Sequence, residues 1–153
     1  MVHTSHPTYG YLLEAGNKKV VWAPEFYEFP TWAAGADLMF AEAAGWDRPI
    51  RFAGGVGGHS SVLDVAREAQ QQGVRQLVFA HIGRPTIRAL DAGCRPPFGE
   101  FGADGQVHRV CTRQSCPPGG ACGPKPMGSM LDDQATTCAC EAANGRTAKE
   151  GFR

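Results

Sequence analysis

Residues 58–83, GHSSVLDVAREAQQQGVRQLVFAHIG, change hydrophobic period partway along, and that change constrains the fold more than any other feature. Val62, Val65, Ala66 and Ala69 recur on one helical face, Ser60 has N-cap chemistry, and Gly73 supplies a stop. The run Leu77–Ala80 is then continuously apolar, as a strand covered on both faces reads. An earlier strand, a glycine loop, a helix and a second strand make one crossover unit, right-handed in nearly all proteins. The expectation is an α/β fold with a mixed sheet covered by helices.

Upstream, YGYLLEAG and NKKVVWAPEF read as two strands around a Gly16-Asn17 turn. FPTWAAGADLMFAEAAGW predicts a short turn or helix, then a buried strand at Leu38–Ala41 introduced by Asp37. IRFAGGVGGHSS is glycine-rich and predicts a loop. PPFGEFGADGQVHRV predicts an Asp104-Gly105 turn and a last short strand on whose edge His108 is exposed.

After Val110 the apolar period disappears. The remaining stretch is rich in Gly, Pro and Cys, so the chain divides into a domain over 1–110 and a tail over 111–153 that reads as disordered. Cys111, Cys116, Cys122, Cys138 and Cys140 lack the paired C-x2-C spacing of a zinc ribbon. The chain has 153 residues, enough for one core, and a formal net charge of +0, which offers no electrostatic attraction to nucleic acid or an acidic membrane. No apolar run approaches the roughly 20 residues a bilayer needs, and MVHTSHPTYG has no signal-peptide pattern. The localisation expected is cytoplasmic, with no membrane partner.

Chemistry rests on histidine. His81 ends a strand, where α/β folds open a crevice, and His59 precedes a helix whose N-terminus favours an anionic ligand. Taken singly, each has a structural explanation. The order and spacing of HTSHPTYGYLLEAG, KVVWAPEF, ADLMFAEA and GHSSVLDVAREAQQQGVRQLVFAHIG resembles the C-terminal half of the metallo-β-lactamase superfamily, of the ribonuclease Z and cyclic-phosphate phosphodiesterase type.

The resemblance implies half of an αβ/βα sandwich and a metal-dependent hydrolase of phosphodiesters or related esters. It places His3, with His6 as the alternative, Glu25 and His81 as metal ligands. His59 is placed as the group that touches the scissile phosphate or protonates the leaving group. Neutral imidazoles and a carboxylate suit zinc, which lowers the pKa of water toward neutrality. Two ions are implied for a complete site, and at most one, weakly held, for this chain.

Two departures qualify the implied activity. Glu25 stands where the family has a bridging aspartate, and the H-x-H-x-D-H run of the family's first half occurs nowhere in the chain. The expectation is an enzyme incomplete as a single chain, with a missing N-terminal half or a homo-oligomer as partner and a phosphodiester small molecule or nucleic acid end as substrate. The alternative is a catalytically inactive truncated product or binding module. A lone half would expose an apolar sheet face; Val20, Val21, Trp22, Leu38, Phe40, Leu77, Val78 and Phe79 are the candidates for the two faces of the sheet.

Overall fold

The computed structural model describes residues 8–54 and 57–110. Gly16, at φ +59°, turns strand β1 (Tyr11–Ala15) back onto β2 (Lys18–Ala23), pairing Tyr11 with Trp22 and Leu13 with Val20. A 3-10 turn over Thr31–Ala33 leads to β3 (Leu38–Ala43), parallel to β2. A two-stranded ribbon, β4 (Ile50–Arg51) and β5 (Gly58–His59), precedes helix α1 (Val62–Gln71). Strand β6 (Leu77–Ile82), helix α2 (Arg84–Asp91) and β7 (Glu100–Phe101) complete the order. The main sheet runs β1-β2-β3-β6-β7, antiparallel at its first pair and parallel after it.

Alternation along the strands sends Val21, Ala23, Met39, Ala41, Leu77 and Phe79 into one core. Val62, Val65, Ala66 and Ala69 of α1 and Ala89 of α2 close it. Fully burying a valine or leucine side chain stabilises by roughly 1.5–3 kcal/mol, so this face outweighs the poor helix propensity of β-branched residues in α1. Ser61 caps α1, its hydroxyl accepting from the Asp64 amide at 3.1 Å, and Gly73 at φ +71° ends it.

Asp37 clips the strand entrances together. Burial works against its charge, but the Lys19 amide at 3.0 Å, the Lys18 ammonium at 3.3 Å and the Arg75 guanidinium at 2.7 Å outweigh that. Its carboxyl is held below the ordinary aspartate value.

The mixed α/β sheet, the hairpin, α1 and the long parallel strand are as expected from sequence. Other details differ. The cap is Ser61, because the Ser60 amide is bound to the Phe26 carbonyl at 2.9 Å. The glycine loop contains the β4–β5 ribbon. The last strand is Glu100–Phe101, ahead of the Asp104-Gly105 turn rather than after it. His108 is not exposed: its side chain is 8% accessible, edge-on to Phe40 at 5.3 Å and beside Gln76 at 3.4 Å. Helix α2 has no counterpart in the sequence reading; Pro85 stands in its first turn, where proline removes no helical hydrogen bond. The tail over 111–153 lies outside the described residues. Among the described residues no helix is long and apolar enough to cross a membrane.

Candidate metal centre

The site forms where β3 and β6 fall out of step. Ala41 pairs with Phe79, but Ala43 pairs with Ile82, so Glu42 alone faces Ala80 and His81. The extra residue is accommodated at His81, whose φ of +50° is the one positive value among described non-glycine residues. Such a bulge re-aims a side chain, and the left-handed conformation is a strain that surrounding contacts must hold.

Those contacts come from α2. The Ala43 carbonyl accepts from the Gly83 amide at 3.1 Å and from the buried Thr86 hydroxyl at 2.7 Å. Gly83 passes so close to β3 that a Cβ there would lie 2.3 Å from the Ala44 carbonyl oxygen. The start of α2 is thus locked against the end of β3, and His81 is held between them.

Glu42 is wholly buried, a position a carboxylate occupies only when fully hydrogen-bonded. One oxygen, Oε1, accepts from the amides of Ala43 at 3.0 Å and Ala44 at 2.8 Å and from His81 Nδ1 at 3.1 Å. The other, Oε2, accepts from the Phe26 amide at 3.2 Å and from His59 Nδ1 at 2.9 Å. Both imidazoles therefore give their Nδ1–H to one anion, and Nε2 becomes the basic nitrogen of each ring. The rings lie 5.1 Å apart, centroid to centroid.

His59 reaches this point because β5 crosses β4 tightly. A Cβ on Gly58 would sit 1.9 Å from the Ile50 carbonyl oxygen, and its φ of +150° also excludes other residues. Phe52 then packs edge-on to the His59 ring at 5.3 Å.

Of the residues singled out from sequence, His59, His81 and Glu25 converge. His81 Nε2 is 3.5 Å from Glu25 Oε1, on the side of the ring away from Glu42. His3 and His6 lie outside the described residues. Glu42 was missed; its signal was a carboxylate inside the apolar run LMFAEA, where only a fully paired acid can be buried. Ligand atoms of Glu42, His59 and His81 lie within 4.8 Å of one another, and this group could hold one metal ion.

No protein-family model, curated protein or solved structure matches the chain.

Proposed function

We propose that the chain is a metal-dependent hydrolase domain acting on phosphodiesters or related esters, with its ion at the His81 and Glu25 end of this cluster. The observation that carries the reading is the buried Glu42 carboxylate shared by two imidazoles. Metal-ligating histidines commonly donate their second nitrogen to such a carboxylate, which fixes the tautomer and raises the basicity of the nitrogen that faces the ion. Donor chemistry fits zinc: imidazole Nε2 of His81 and a carboxylate oxygen of Glu25 are already 3.5 Å apart.

When bound, the ion supplies Lewis-acid polarisation and an acidified water. With its Nδ1–H given to Glu42, His59 would take a proton from solvent at Nε2 and, as the imidazolium, pass it to a leaving oxygen. Glu25 keeps the longer side chain where the resembling family has aspartate, and among the described residues the donors suit one ion rather than a bridged pair. A metal-binding module without turnover is the second reading, favoured by the absence of H-x-H-x-D-H from the chain.

Zinc titration of the metal-free protein by calorimetry tests the site. About one ion per chain is expected, with binding lost in His81→Ala and weakened in Glu25→Gln. Wild-type binding in both variants would refute the assignment. A zinc-dependent cleavage of bis(p-nitrophenyl) phosphate that His59→Ala abolishes separates hydrolase from silent module.

A further inference from the structure

The strands that carry the candidate metal centre carry a second feature just upstream of it. Phe40 stands two residues before Glu42 on β3, Ala80 directly before His81 on β6, and Trp22 three residues before Glu25 near the end of β2. Parallel register sets Trp22 beside Phe40 and Phe40 beside Val78. Together they wall a cavity of about 510 Å³, with His108 and His81 also in its lining. At ~3.3 Å per residue, Phe40 lies about 7 Å back along β3 from Glu42, a span that one ester-linked ring covers.

We propose, resting on the hydrolase reading above, that this cavity holds the uncharged aromatic ester group of the substrate, so that the chain takes aryl phosphodiesters rather than a nucleic acid strand. His81 selects the occupant. It belongs both to the cavity lining and to the cluster with Glu42 and His59, so a ring in the cavity can be ester-linked to a phosphate at the ion. The walls suit a planar ring. Trp22 and Phe40 lie 5.2 Å apart, centroid to centroid, and His108 stands edge-on to Phe40 at 5.3 Å. Trp22 is 42% exposed, which leaves aromatic surface for the ring to pack on.

Size and charge narrow the class. The volume falls within the roughly 300–1,000 Å³ of small-molecule sites. Among the described residues that line the cavity, Asp104 is acidic and none is lysine or arginine. An anionic substituent there would face a carboxylate without a compensating cation. A nucleic acid strand is held mainly through basic contacts to its phosphates, which these walls do not offer.

Ligand-observed NMR on the metal-free full chain tests the pocket without turnover. Methyl phenyl phosphate should bind saturably; dimethyl phosphate and a short oligothymidylate should not. Trp22→Ala should weaken methyl phenyl phosphate binding at least about fivefold. Trp32→Ala, an aromatic loss on the 3-10 turn outside the cavity, should leave it unchanged. A para-carboxyl group on the ring should weaken binding, and Asp104→Asn should recover part of that loss. If Trp22→Ala loses its folded circular dichroism, Ala80→Leu, which fills the cavity, decides alone by abolishing binding. Absence of ring binding, equal binding of dimethyl phosphate or oligothymidylate, or indifference to Trp22→Ala overturns the proposal. Zinc titration of the wild-type chain separates the two readings. Zinc bound without ring binding overturns the pocket alone, whereas ring binding without zinc overturns the hydrolase reading and the substrate assignment with it.

Discussion

Glu42 holds His81 in a conformation that the histidine would not adopt by itself: Oε1 accepts the imidazole Nδ1–H at 3.1 Å while the His81 backbone sits at φ +50°. The bulge strains the backbone, and the buried carboxylate, with α2 behind it, keeps it strained. Pre-organisation of this kind belongs at a site that needs its nitrogen aimed in advance.

Removing the anchor should loosen the nitrogen. Glu42→Gln replaces one acceptor oxygen by an amide group that donates toward groups that also donate, so one of the two imidazoles loses its Nδ1–H acceptor and its fixed tautomer, and the pair is no longer held by one carboxylate. Zinc affinity is expected to fall about 10–100-fold, the usual effect of losing an outer-shell partner. Calorimetry of the variant beside wild type measures it, and an unchanged affinity would show that Glu42 does not orient the ligands.

The strain at His81 is measurable through the residue that replaces it. His81→Gly and His81→Ala both delete the imidazole, but only glycine accepts positive φ without cost. The glycine variant is expected to be the more stable by about 1 kcal/mol in urea unfolding. Equal midpoints and slopes would mean that the bulge relaxes freely.

Gly83→Ala forces a Cβ to within 2.3 Å of the Ala44 carbonyl oxygen, backbone against backbone. Separation of α2 from β3 is the only relief, and it carries His81 with it. A loss of about 1–3 kcal/mol in stability is expected, as for other overpacking, together with weaker zinc binding. Thermal unfolding with and without zinc reports both.

Asp37 contributes a pH-dependent part of the fold's stability in acid. Its carboxyl titrates lower in the folded than in the unfolded chain, so its contribution is complete above the ordinary aspartate value near 3.8 and disappears as pH falls through the lowered folded value. Asp37→Asn is expected to cost about 1.5–3 kcal/mol near neutrality, as for hydrogen bonds to a charged group. That difference should shrink below about pH 4. Denaturant midpoints of the two proteins across pH test the convergence, and a pH-independent gap would assign the cost to packing.

Local signals made much of the fold legible. The Gly16-Asn17 turn, the helical stripe Val62, Val65, Ala66, Ala69 and the apolar run into His81 each act within a few residues, through backbone sterics and hydrophobic period, and each reads directly. Helix α2 was hidden because Gly83 and Pro85 look like breakers when they are a helix start pressed against β3. His108 looked exposed because nothing near it in sequence shows that it would lie on Phe40.

The same division holds at the site. From the residues alone, His59 and His81 could be placed at the two ends of one crossover, and Glu25 came from a family resemblance. Only the tertiary structure decided that Glu42 stands between the two histidines, because its burial depends on amides from Phe26, Ala43 and Ala44 and on rings 17 and 39 residues away. A charge in an apolar strand is unaffordable by local rules. It becomes stable when the fold gathers its donors, and no window of sequence contains them all.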